Sequence, residues 1–86
     1  MKESKIETTI GLCVVELTKY LMKKYRLAEE EAYQRLMEME LYELLLDAET
    51  RLYLETNAYL VRCCQIECDN GKDELYEFIN EGVTIN

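Results

Sequence analysis

No proline interrupts this chain of 86 residues, and only three glycines, Gly11, Gly71 and Gly82, loosen it. A β-rich fold turns about every 8 to 12 residues and draws on both residue types at those turns. The expected fold is therefore all-α: a compact bundle of four to five short helices in one domain spanning 1–86. The abundance of Leu, Glu, Lys, Ala, Met and Arg, all good helix formers, agrees with this. A chain this short holds one core. At roughly 0.05–0.15 kcal/mol per residue its stability amounts to about 4–13 kcal/mol, a margin that a homodimer would widen.

The apolar residues recur at helical spacing. Ser4 and Glu7 have the form of a capping box, and Ile6, Ile10, Cys13, Val14, Leu17, Tyr20 and Leu21 follow at intervals of three and four. Glu16, Lys19 and Lys23 form the opposite, wet face. Glu29, Glu30 and Glu31 suit the positive end of a second helix, with Ala32, Tyr33, Leu36 and Met37 as its apolar set and a break around Met39 or Glu40. A third helix is expected over 40–54, carried by Leu41, Leu44, Leu45, Ala48 and Leu52, with Asp47 and Arg51 as i,i+4 partners. The alternation of Arg51 to Glu55 leaves a short hairpin over 51–61 as the alternative. Thr56 or Asn57 caps a fourth, central helix running to Cys68 and ended by Asp69, Asn70 and Gly71. Lys72 to Glu81 forms the last helix, closed by Gly82, and Val83 to Asn86 fray.

Ten basic residues face eighteen acidic ones, for a net charge of −8. The signs are segregated: residues 1–26 hold six bases and three acids, whereas the remaining sixty hold four bases and fifteen acids. A body this acidic repels phosphate backbones, so direct nucleic-acid binding is disfavoured. Its acidic surface suits a basic protein partner. No run of about 18 apolar residues is present, so no membrane span is expected. Met1 to Thr9 mixes acids with lysines and lacks an apolar signal core, which points to the cytoplasm.

Catalytic options are few. Without histidine there is no Ser-His-Asp or Cys-His relay. Clustered carboxylates such as Glu29–Glu31 and Asp73–Glu74 sit where helix capping explains them, and the isolated glycines make no phosphate loop. Cys13, Cys63, Cys64 and Cys68 lack the Cys-x2-Cys knuckles of structural zinc sites. Cys64 and Cys68 lie one helical turn apart, near the upper limit for a bridge, so free thiols serving as small core hydrophobes are expected. Neither catalysis, a metal nor a cofactor is expected.

Seven tyrosines are the most distinctive remaining feature, since tyrosine favours core rims and protein interfaces alike. A face bearing Tyr42, Glu43, Glu49, Tyr53 and Glu55 is the candidate for partner binding. The leading functional expectation is a non-catalytic interaction module. A nucleic-acid-associated regulator using Lys19, Lys23, Lys24 and Arg26 is one alternative. A cysteine-based metal or redox protein is another, with Arg62 beside Cys63 as the only cation adjacent in sequence to a thiol.

The stretch Leu44 to Val61, with Asp47, Leu52 and the run Tyr59-Leu60-Val61, resembles a family of short bacterial helical domains of unknown function. That family pairs a leucine-rich helix and an aspartate with a tyrosine-aliphatic helix start. Tyr53 stands where the family usually carries histidine, and the last third here is longer and cysteine-rich. Members are often encoded beside ADP-ribosyltransferase-like proteins, so the resemblance implies an accessory or antitoxin-like binding partner.

Overall fold

A computed structural model of the chain describes the backbone of residues 2–84 and the side chains of residues 5–81. Five α-helices follow one another: α1 (Lys2–Tyr25), α2 (Glu29–Met37), α3 (Glu40–Leu46), α4 (Asn57–Asn70) and α5 (Lys72–Thr84). Two single 3-10 turns, Ala48–Thr50 and Leu52–Leu54, connect α3 to α4. The all-α expectation holds, and among the described residues there is no strand. Helix α1 begins at Lys2, ahead of Ser4, whose side chain and supposed capping role lie outside the described side chains.

Spacing predicts most of the core, although Tyr33, Met37 and Ala48, expected on apolar faces, are exposed. Leu17, Leu21, Leu36, Leu41, Leu45, Leu60, Leu75, Cys63 and Cys64 are fully buried, and Ile10, Cys13, Ala32, Met39 and Leu52 join them. Helix α4 packs on α5, α1 and α3, and α1 packs on α2 and on the second 3-10 turn. The molecule measures 38 × 35 × 19 Å. Its thin dimension is about two helix diameters.

Helix α1 ends in a left-handed Arg26 (φ 56°), with the Leu27 amide donating to the Met22 carbonyl at 3.1 Å. This is a Schellman arrangement built on an arginine in the place glycine usually takes. Glu31 reaches back to accept from the Ala28 amide at 3.2 Å, which secures the start of α2.

The third helix is shorter than expected. It stops at Leu46 because the next residues satisfy one another locally. Asp47 Oδ1 accepts from the Glu49 amide at 3.0 Å, and the Thr50 hydroxyl donates to the carbonyls of Leu44 (2.6 Å) and Asp47 (2.9 Å). Such side-chain bonds compete directly with helix continuation. Arg51 is left-handed (φ 57°), so the expected Asp47–Arg51 helical pair has no helix to sit on. The hairpin alternative fails too, since 52–54 form a 3-10 turn and Thr56 starts α4 by accepting from the Tyr59 amide at 3.1 Å.

Gly71 joins α4 to α5 at φ 97°, ψ 174°, a region essentially reserved for glycine. Its amide donates to Glu67 and its carbonyl accepts from Leu75, so it closes one helix and opens the next. Helix α5 continues through Gly82 to Thr84 rather than stopping at the glycine, and residues 85–86 of the expected fraying tail lie outside the described residues.

Candidate functional site

Two arrangements stand out, one apolar and one built on thiols. The first follows the outer side of α1. Leu12 (64% exposed) and Val15 (48%) lie off the buried stripe, among residues expected to be polar. Val15 opens onto a cleft of about 480 Å³ between α1 and α2, whose walls include Thr18, Met22 and Tyr33. Lys19 stands on the α1 side of this cleft and Glu29 and Glu30 on the α2 side. A second cleft runs from Val15 and Leu12 to Tyr53 and Glu55, and a third continues from Tyr53 to Leu54 and Ile6. Leu54 is 65% exposed. Together they form one apolar track along α1, the kind of patch that marks an interaction surface when contiguous.

The second arrangement gathers where α1, α2 and α4 end. Tyr25 lies between two cations, with the Arg35 guanidinium 4.1 Å and Lys24 Nζ 5.6 Å from its ring centroid. Lys24 also pairs with Asp69 at 3.0 Å. Tyr25 and Cys64 are both close enough to act on the Cys68 thiol. Hydrogen bonding from Cys64 holds the Cys68 thiol below its ordinary value, against desolvation, and Tyr25, Lys24 and Arg35 act in the same direction. Cys64 is raised by the same bond and by burial. Of the two thiols, the one that reaches water is thus the more readily ionised. Cys68, half-buried, opens into a cleft of about 360 Å³ with Arg35, Glu38, Met39 and Glu67.

Cys63 and Tyr59 behave in the opposite way. Burial pushes the Cys63 thiol from 9.0 up to about 11, and burial with the nearby Cys63 and Glu55 pushes Tyr59 from 10.0 up to about 12. Both groups fold in their neutral forms. The stability they supply is complete below their unfolded values and is lost as pH rises through the folded ones. A tenfold change in proton affinity is worth about 1.4 kcal/mol, so Cys63 accounts for roughly 2–3 kcal/mol lost between 9.0 and about 11. Urea unfolding of the reduced protein across that range should show the decline, and Cys63→Ala should make it shallower, the other buried thiols and Tyr59 supplying the remainder; an unchanged slope in the variant contradicts the assignment.

The tyrosine-acid group does not gather around a single contact. Tyr42 meets Tyr33 edge-on at 6.5 Å, while Tyr53 and Glu55 border the track on α1. Glu43 and Glu49 are exposed on α3 and the first 3-10 turn. The basic group is likewise divided: Lys19 faces Glu29 and Glu30, Lys23 is exposed, Lys24 is paired with Asp69, and Arg26 forms the end of α1. Sequence reasoning missed Leu12 and Val15, and the signal that could have found them is that both are large apolar residues lying off the stripe. The cations that serve Cys68 come from α1 and α2, whereas adjacency in sequence points to Arg62, which donates to Gln65 at 3.2 Å.

All four cysteines are free, and among the described residues no three metal-ligating side chains converge. No described helix is long and apolar enough to cross a membrane. No family model, curated protein or solved structure matches the chain.

Proposed function

We propose that this protein is a non-catalytic interaction module that first pairs with a second copy of itself along the outer side of α1. The exposed Leu12 and Val15, bordered by Lys19 on one wall and Glu29 and Glu30 on the other, carry the reading. A two-fold axis through an antiparallel pair of α1 helices sets the Lys19 of each copy against the Glu29 and Glu30 of its partner. The pairing keeps the strongly acidic remainder of each copy, residues 27–86, away from its counterpart, while the Lys19 contacts with Glu29 and Glu30 offset the excess positive charge of residues 1–26. A cytoplasmic setting fits the four reduced thiols. The accessory, antitoxin-like role implied by the resemblance over Leu44–Val61 is compatible with such a pair.

Sedimentation equilibrium at tens of micromolar tests the reading. Wild-type protein should sediment at twice the 10.2 kDa chain mass. Val15→Glu should sediment as the single chain with unchanged helical circular dichroism, because a carboxylate at the centre of the track must give up its water for the copies to close on it. A wild-type chain that stays single, or a variant that still pairs, overturns it.

A further inference from the structure

The thiols at the junction of α1, α2 and α4 take no part in that surface, and their arrangement has a chemistry of its own. Cys64 and Cys68 share one face of α4, their Cα atoms separated by about 6 Å as helix geometry sets for i,i+4 residues, near the upper limit for a disulfide. Their Cβ atoms, about 5–6 Å apart in an intact helix, must close to about 4 Å, so the bridge requires the last turn to unwind. Cys64 is fully buried, while Cys68 opens to water beside Arg35. A nucleophile at the mouth and a second thiol behind it is the order that peroxide oxidation needs.

We propose that Cys68 is an oxidation site for small hydroperoxides and that Cys64 resolves it. The Cys68 thiolate attacks the terminal oxygen of the hydroperoxide. The O–O bond breaks, an S–O bond forms, and the leaving alkoxide or hydroxide takes a proton from water. The sulfur becomes a sulfenic acid and the peroxide is reduced to alcohol or water. The Cys64 sulfur then attacks the sulfenic sulfur; the S–O bond breaks, the thiol proton leaves with the hydroxyl as water, and an intramolecular disulfide remains.

Arg35 and Tyr25 are positioning residues. Arg35 shares the cleft wall with Cys68 and favours the anionic sulfur, and Tyr25, whose ring lies 4.1 Å from the Arg35 guanidinium, acts in the same direction. Cys68 lies in the last turn of α4, three residues before the Gly71 junction, where the helix yields most easily to a bridge. Cys13 and Cys63 lack this company: burial raises both.

The full reduced chain carries the test, with hydrogen peroxide and iodoacetamide as probes. At neutral pH, Cys68 of the wild-type protein should alkylate about tenfold faster than Cys13 or Cys63, since the thiolate is the reacting form. Arg35→Met should slow that alkylation without altering helicity. One equivalent of peroxide should leave the chain two hydrogens lighter, with the bridge mapped to Cys64 and Cys68. In Cys64→Ala, peroxide should leave a sulfenic acid on Cys68 that dimedone traps. Cys68 alkylating no faster than Cys63, a bridge elsewhere, or no peroxide product in the wild-type chain overturns the assignment, and the wild-type measurements stand whether or not the variants fold.

Discussion

Leu17→Ala lowers the unfolding free energy by about 3–5 kcal/mol, the largest loss expected of any single truncation here. Leu17 is fully buried in the middle of α1, the helix that meets α2, α3, α4 and the second 3-10 turn. Removing three carbons there takes apolar contacts from several elements at once and leaves a void that a helix anchored on so many sides cannot collapse to fill. Against a total of about 4–13 kcal/mol for a chain this size, the loss consumes roughly a quarter of the stability or more. Urea unfolding of Leu17→Ala beside Leu46→Ala makes the comparison. Leu46 is 48% exposed, so its truncation should cost under about 1 kcal/mol. Equal losses in the two variants would show that Leu17 does not hold the centre of the core.

The second large effect belongs to a single carboxylate. Glu67 on α4 accepts the Glu40 amide at 2.7 Å with one oxygen and the Leu41 amide at 2.8 Å with the other. Met39, at the N-cap of α3, has no side-chain oxygen to offer, so α4 caps α3 from across the bundle. A bond to a charged acceptor is worth about 1.5–3 kcal/mol, and losing both strands two partly buried donors at the positive end of a helix. Glu67→Ala should cost about 2–3 kcal/mol, and Glu67→Gln, which keeps one acceptor oxygen, about half as much. Amide exchange at Glu40 and Leu41 supplies the specific readout: both should exchange much faster in Glu67→Ala, and unchanged protection there would refute the cap.

That cap explains why the α2–α3 break was legible only in part. The apolar pattern falters at Met39 and Glu40, so a break could be placed, but the group that stabilises it lies 26 and 27 residues further on. No local pattern carries that information. The early end of α3 has a different cause. Leu44, Ala48 and Leu52 keep helical spacing, yet Asp47 and Thr50 bond to backbone groups near them and turn the chain away. Periodicity points to candidates for burial without fixing the backbone that buries them: Leu52 is buried, whereas Ala48 is exposed once the helix has ended. The candidate sites divide in the same way. Leu12 and Val15, though missed, leave a signal in the sequence, since two large apolar residues interrupt a polar face. Cys68 leaves none, because Tyr25 and Arg35 reach it only through the packing of three helices.

Exchanging the charges across the proposed two-fold is the most direct test of self-pairing through α1. Lys19→Glu alone, and Glu29→Lys with Glu30→Lys alone, should each sediment as single chains, since each sets like charges against one another at both ends of the interface. Mixed in equal amounts they should form a heterodimer, because every contact then joins opposite signs again. A mixture that remains a population of single chains, at a concentration where the wild-type protein pairs, would contradict the interface.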